Sequence, residues 1–159
     1  HKDGSFYPVA FVASPVRDER AKTIGTVIEV RDITEEKRIE RELRESEARY
    51  RAVFEQAGVG VARVSLDGPF IEVNDRYCEI LGRPRGDLMG AGWKEITHPD
   101  DLGGDVANVE RLLAGEADSF QMEKRYIRPD GSSIWVDMTV ALTRNIDGTP
   151  AFFVAVAQD

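Results

Sequence analysis

The sequence predicts an α+β protein, in which a β-hairpin and a long linker helix precede a five-stranded antiparallel sheet with helices on one face. Three observations predict this layout. Segments of alternating apolar residues are separated by Asp-Gly turns, which is typical of antiparallel strands. Residues 32–54 lack Gly and Pro and are rich in strong helix formers. Residues 2–32 align without a gap on residues 129–159.

The hairpin at the start of the chain resembles the last two strands at its end. The identical residues 127 positions apart include Asp-Gly-Ser at 3–5 and 130–132, Val9, Arg17, Val27 and Asp32. Two strands cannot bury a core alone, so residues 1–32 are expected to be the end of a preceding domain of the same kind. We expect the apolar face of this hairpin to pack on a neighbouring chain or on the complete domain. We assign to that face Phe6, Val9, Phe11, Val27 and Val30.

Residues 33–56 are predicted to form the linker helix. Thr34 is the expected N-cap, followed by acids in the first turn, where the positive end of the helix favours them. Ion pairs are expected at helical contact spacing for Glu35–Arg38, Glu40–Arg44 and Glu45–Arg49. Apolar or small residues follow a 4-3 heptad spacing at Ile39, Leu43, Ser46, Tyr50 and Val53.

These five positions form a seam along one side of the helix. The seam predicts a parallel two-stranded coiled coil and therefore a homodimer. An isolated polar helix of this length is marginal in water, so a partner is expected to cover the seam. Ser46 weakens the coiled-coil interpretation, because it places a hydroxyl in the seam. The alternative is a connector helix that packs only its last two turns on the following domain.

Residues 57–159 contain the elements of one complete domain. Predicted strands lie at 59–66, 70–73, 119–128, 132–144 and 150–157. Predicted helices lie at 76–81, 84–89, 93–96 and from Pro99 to Gly115. Asn74 is the expected N-cap of the first of these helices, and Gly82 ends it. This order of elements places the helices on one face of the sheet.

Composition narrows the function classes. The net charge of −8 and the pI near 4.9 argue against a surface for nucleic acid or anionic membranes. A single cysteine excludes an internal disulfide and suits the reducing cytoplasm. No apolar run approaches the roughly 20 residues that span a bilayer, so no membrane contact is expected in this segment, although a longer parent protein can carry an anchor.

Several motifs point to one family. They are SEARYRAVFEQA at 46–57, Asn74 after the second strand, YCEILG at 77–82, HPDD at 98–101, EKRYIRPDGSSIWV at 123–136, and Asp32-Ile33-Thr34 before Glu-Glu-Lys. Together they resemble a PAS sensory domain with its C-terminal PAC half over residues 46–159. Residues 1–34 resemble the end of another copy. The resemblance further implies that Asp32 anchors the strand end while Thr34 caps the helix, which makes both signal-relay residues.

The resemblance implies a non-catalytic sensory and relay module. Such modules sense a small ligand or a partner and transmit through a dimeric helix to an output domain, which is expected here to be a histidine kinase. The alternatives are a diguanylate cyclase or phosphodiesterase output, or a dimerisation and docking module without a ligand. The output domain lies outside this segment, which contains no kinase phosphoacceptor box, GGDEF run or nucleotide-binding glycine loop.

The identity of any cofactor stays open, but two cofactors are disfavoured. Haem-binding members of the family use a histidine in the long helix, and residues 106–113 contain none. The flavin-binding branch uses a reactive cysteine after the position of Gly82 and a glutamine where Ala157 stands, and this chain has neither. We interpret Cys78 as a small buried hydrophobe. Metal and catalytic sites are not expected, because helix capping explains His98 and its neighbours.

A ligand pocket is expected between the helices and the sheet. The residues named as candidates for lining it are Trp135, Phe153, Tyr77 and Met138. For Trp135 and Phe153, a role in the core or as cover for the entering helix is favoured over contact with a ligand. Alternation places Met138 on one face of its strand and Trp135 on the other. We expect Glu123 and Arg125 to pair on the outer face.

Overall fold

The computed structural model describes residues 6–159, so the repeat match at residues 3–5 lies outside the described residues. The chain divides into two compact units, one ending at Arg51 and the other covering Ala52–Asp159. The first unit consists of β1 (Val9–Arg17), β2 (Thr23–Asp32) and most of α1 (Thr34–Glu55). None of the helices in residues 6–159 is long and apolar enough to cross a bilayer.

The hairpin of β1 and β2 has the same register as the last two strands of the chain. Phe11 pairs with Val30, and Met138 pairs with Ala157, which are the residues 127 positions later. The two turns also match, because Ala21 (φ 60°) and Gly148 (φ 83°) both have positive φ. The repeat seen in the sequence is therefore a repeat of backbone structure.

The shared register shows which face of the hairpin corresponds to a core. Val9, Phe11 and Val30 are exposed, whereas the residues that match them in the second unit are buried. Val27 pairs with Ser14 on the opposite face. Its assignment to the same face as Val30 is wrong, because residues three apart in a strand point to opposite sides.

α1 is an exposed, highly charged helix. Glu35–Arg38 and Glu40–Arg44 form the predicted ion pairs, but Glu45 and Arg49 do not. The N-cap of α1 is not Thr34, as predicted, but the residue before it. The Ile33 carbonyl accepts the first helical hydrogen bond, from Lys37, which makes Ile33 the cap residue. Thr34 is already helical, and its hydroxyl donates to Asp32 instead of accepting from the helix.

The second unit is built on a five-stranded antiparallel sheet in the order β4-β3-β7-β6-β5. Its strands are β3 (Gly60–Val64), β4 (Phe70–Val73), β5 (Ser119–Ile127), β6 (Ser133–Arg144) and β7 (Pro150–Gln158). Its helices are α2 (Asp75–Leu81), α3 (Arg85–Leu88), α4 (Trp93–Ile96) and α5 (Pro99–Leu113). The sequence prediction of this architecture is confirmed.

The core lies between this sheet and the helices. Val136, Met138 and Val140 of β6 are buried, whereas Trp135 on the other face is 59% exposed. α2 approaches β3 closely at Gly60, where a Cβ atom would lie 3.1 Å from the Tyr77 Cα. The helices thus cover one face, and glycine permits the closest contact.

Candidate functional site

The candidate site is a small cavity in the core of the second unit. Its volume is about 30 Å³, and it is lined by Val64, Phe70, Tyr77, Trp93, Asp105, Val109, Lys124, Tyr126, Met138, Val140, Phe153 and Ala155. Most of these side chains are apolar or aromatic, and five carry polar groups when the Trp93 indole N–H is included. Three of the predicted pocket residues, Tyr77, Met138 and Phe153, line it. Trp135 does not, because it lies on the outer face of the sheet.

A buried ion pair forms the polar part of the cavity. The Lys124 ammonium on β5 donates to Oδ2 of Asp105 on α5, and each side chain is no more than 3% exposed. Lys124 Nζ also lies 4.7 Å from the centre of the Tyr126 ring and 5.4 Å from that of Trp93. Such ring faces attract a cation. Burial lowers the pKa of Lys124, while the nearby Asp105 carboxylate acts in the opposite direction.

Two tyrosine hydroxyls share the same cavity. Tyr77 Oη and Tyr126 Oη are 3.0 Å apart and joined by a hydrogen bond, and both residues are buried. Burial raises the pKa of both tyrosines, so both hydroxyls are protonated at neutral pH. One hydroxyl proton lies in the bond between them, and the second proton remains available to another acceptor.

Asn74 connects the cavity to the end of α1. Its Nδ2 donates to the carbonyls of Phe54, 2.9 Å away, and Val59, 3.0 Å away. Its Oδ1 accepts from the amides of Val61 and Tyr77, both at 2.9 Å. A buried asparagine with two donors and two acceptor positions is thereby fully satisfied. One side chain therefore joins the last turn of α1, β3 and the helix that carries Tyr77.

An exposed ion-pair network supports the same junction. Glu55, the last residue of α1, accepts from the Arg85 guanidinium at 2.9 Å and from the Asp75 amide at 3.1 Å. Arg85 also donates to the Asp75 carboxylate at 2.8 Å. The end of α1 is thus held by Asn74 on the buried side and by Arg85 on the exposed side.

Asp32 and Thr34, the predicted relay residues, form a local turn. Asp32 Oδ1 accepts from the Thr34 amide at 2.9 Å and from its hydroxyl at 2.6 Å, and these bonds lower the Asp32 pKa. Asp130 with Ser132 and Asp147 with Thr149 make the same pair of bonds. The geometry is therefore a turn that recurs in this chain, here placed at the start of α1.

The start of α5 also has a capping role. His98 Nδ1 accepts from the Asp100 amide at 3.3 Å, and Pro99 occupies the first turn, as the sequence predicts. Within residues 6–159, no three His, Cys, Asp or Glu side chains are grouped closely enough to hold a metal ion. Arg125 pairs with Asp101 at 2.8 Å, so the predicted pair with Glu123 is wrong. The Arg125 side chain reaches α5 and also lies 5.1 Å from the Trp135 ring centre.

Sequence comparison identifies the architecture. The family model described as the PAS fold matches residues 70–157, which is more than half of the chain. The chain belongs to the PAS fold family. A model described as the PAS domain also matches residues 1–35. PAS domains are sensory, non-catalytic modules of signalling proteins, and Lys124, Tyr126 and Asp105 lie in the core of this one.

Relatives of this PAS domain occur in signalling proteins. The chain is 37% identical over 115 residues to the probable diguanylate cyclase DgcE of Escherichia coli, covering 72% of this chain and 10% of that protein. It is 25% identical over 114 residues to the sensor histidine kinase TmoS of Ectopseudomonas mendocina, covering 72% of this chain and 12% of that protein. The chain thus spans only about a tenth of these two relatives.

A solved structure shows the same PAS fold. The PAS domain of an HTR-like protein from Haloarcula marismortui superposes with a TM-score of 0.63 and 29% identity. The match covers 77% of this chain and 98% of that structure. The structural match and the family match therefore both identify a PAS domain.

Proposed function

We propose that this chain senses a small ligand in the PAS cavity and relays the change through α1 to an output domain outside the segment. The cavity supports the sensing step, because it combines aromatic walls with a buried ion pair. The match of residues 1–35 to a PAS domain supports a second, preceding copy. α1 then connects two sensory domains, and the single cysteine suits a reducing cytoplasm.

The observation that carries the proposal is the pair of contacts made by Asn74. Its side chain accepts from the Tyr77 amide and donates to the Phe54 carbonyl, so a shift of α2 also changes the last turn of α1. Tyr77 presents its hydroxyl to the cavity. A ligand that moves Tyr77 therefore has a direct path to the linker helix.

Dimerisation of α1 would transmit the movement of its last turn to the output domain. Ile39 and Leu43 of the seam are 54% and 58% exposed, which is costly for apolar side chains unless a partner covers them. A parallel pair of helices with a 4-3 seam can rotate or shift between two packings. We propose that the output domain responds to that change.

Two output classes have support among the relatives. Identity of 37% to a probable diguanylate cyclase against 25% to a sensor histidine kinase favours the cyclase over the kinase that the sequence motifs predicted. The sequence that follows Asp159 in the parent protein would decide between them.

Hydrogen exchange of α1 tests the relay. Tyr77→Phe removes only the cavity hydroxyl, and we expect exchange of the amides at residues 52–55 to change several-fold. In an Asn74→Asp background, which keeps an Oδ1 acceptor but loses both donors, the same substitution should have no effect on those amides. Glu123→Gln, an exposed change beside Lys124, is the matched control and should leave amide exchange of residues 52–55 unchanged in both backgrounds. An equal response in both backgrounds would exclude Asn74 as the relay.

A further inference from the structure

We propose that the PAS cavity selects a neutral, oxygen-containing molecule of about two to four heavy atoms, such as a short alcohol or ketone. The proposal rests on the ligand-sensing function above and adds the chemical class of the ligand. It is drawn from the charge, the hydrogen-bonding groups and the volume of the cavity.

Charge excludes an ionic ligand. Lys124 and Asp105 already neutralise each other in a site where both side chains are almost fully buried. A bound anion or cation would introduce a charge without a partner, and burial of an unpaired charge is strongly unfavourable. An anion that displaced Asp105 from Lys124 would leave the Asp105 carboxylate unpaired instead. The cavity therefore favours a molecule without net charge.

The hydrogen-bonding groups require oxygen in the ligand. One hydroxyl proton of the Tyr77–Tyr126 pair is left without an acceptor among the described residues. The Lys124 bond uses Oδ2 of Asp105, and Oδ1 accepts no hydrogen bond from the part of the chain that the structure describes. A carbonyl or hydroxyl oxygen would accept the tyrosine proton, and a hydroxyl group would also donate to Asp105. An apolar molecule would leave both groups unsatisfied.

Volume sets the size. A cavity of about 30 Å³ is small, so it admits a molecule of a few heavy atoms and not a larger ligand. Val64, Met138 and Ala155 supply apolar wall on the sheet side. A molecule with one or two oxygens and a short hydrocarbon part would fill this volume and contact this wall.

Titration with isosteric probes tests the class. Propan-2-ol and acetone are the neutral probes, and acetate and isopropylammonium are the charged ones, each with four heavy atoms. The readout is the ¹³C-labelled methionine methyl NMR signal of Met138 in the intact chain, with the exposed Met89 as internal control. We expect saturable shifts at Met138 with millimolar neutral probes, and at least tenfold weaker binding of the charged probes.

A double substitution tests the polar groups. Lys124→Met with Asp105→Leu replaces the pair by apolar residues of similar size, a change that buried ion pairs often tolerate. We expect binding of propan-2-ol to weaken at least tenfold in this variant, while Arg76→Gln at the surface leaves it unchanged. If the double variant fails to fold, the comparison of neutral with charged probes on the wild-type chain still tests whether the cavity selects neutral molecules.

Two results would overturn the proposal. Acetate or isopropylammonium binding as tightly as propan-2-ol would show that the class is wrong, while ligand sensing and the relay through Asn74 would stand. No saturable Met138 shift with either neutral probe would also exclude the class. Failure of the relay would be seen separately, in the hydrogen exchange of residues 52–55.

Discussion

Asp101 joins the start of α5 to β5 through Arg125. The Asp101 carboxylate accepts from the Arg125 guanidinium at 2.8 Å and 2.9 Å and from the Arg125 amide at 2.8 Å. These bonds, led by the side-chain bond, lower the Asp101 pKa to about 2. Because the folded-state pKa lies below the unfolded value, the pair stabilises the fold above about pH 4, and this contribution is lost as pH falls towards 2.

We therefore expect Asp101→Asn to lower the free energy of unfolding by about 1 to 3 kcal/mol at pH 6. The difference from wild type should shrink below pH 4, which urea denaturation at pH 6 and pH 3 would measure. Asp100→Asn is the control, since Asp100 is exposed and makes a single 3.3 Å contact with Arg125. A difference for Asp101→Asn that is equal at both pH values would contradict the assignment.

Ala21 holds a left-handed backbone conformation that suits glycine. Its φ is 60°, and the matching residue of the second hairpin is Gly148. A residue with a Cβ atom loses about 1 kcal/mol or more in this conformation. Ala21→Gly should stabilise the β1–β2 hairpin by about 1 kcal/mol and slow its amide exchange roughly fivefold. Gly148→Ala should have the opposite effect on β6–β7, and no change in either hairpin would refute the argument.

Local sequence patterns predict the role of Asn74 but not that of Lys124. Asn74 caps α2, as its place before Asp75 predicts. Its hydrogen bond to Phe54 joins residues 20 positions apart, so no local sequence pattern predicts it. Lys124 was missed because it lies within three consecutive charged residues. Alternation could have placed it, since Met122, Lys124 and Tyr126 share one face of β5. Its partner Asp105 lies 19 residues away, and only packing brings the two together.

At the scale of elements, Gly60 determines how closely α2 packs on β3. A Cβ atom there would lie 3.0 Å from Ile80 Cδ1 and 3.1 Å from the Tyr77 Cα. Gly60→Ala should therefore force α2 away from the sheet and lower the free energy of unfolding by about 1 to 3 kcal/mol. Gly58→Ala is the matched control, because no atom lies within 4 Å of its Cβ position. Chemical denaturation of both variants measures the difference, and equal stabilities would contradict this packing.

Strands and helices were predicted more accurately than their contacts. The order of all nine elements of the PAS unit follows from turn residues and from alternation, which are local properties. β3 ends at Val64 and not at Leu66, because Ser65 and Gly68 already form the turn to β4. The prediction of Trp135 as a pocket residue conflicts with strand alternation, which places it on the face opposite Met138, and the structure agrees with alternation.

At the scale of the whole molecule, the seam of α1 predicts the oligomeric state. Leu43 is 58% exposed and occupies the second of the five seam positions. We expect light scattering to give twice the chain mass of 17.7 kDa for the wild type. Leu43→Asp should shift the equilibrium towards monomer by at least tenfold in dissociation constant, because a charge in a coiled-coil seam is desolvated without a partner.

Ala48 provides the control for this prediction. It lies on the side of α1 away from the seam positions Leu43 and Tyr50, so Ala48→Asp adds the same charge without entering the seam. The dimer should persist in that variant. A wild-type chain that remains monomeric at high concentration would refute the coiled coil.

The shared register of the two hairpins has a consequence for how the chain folds. The two hairpins pair their strands with the same offset, so β1–β2 can compete with β6–β7 for a place in the sheet while the sheet assembles. One position distinguishes them. The Leu142 amide donates to the Asp118 carbonyl beside β5, and the matching residue in β1 is Pro15, which has no amide hydrogen. A single proline in the first hairpin thus disfavours exchange of strands between the two copies.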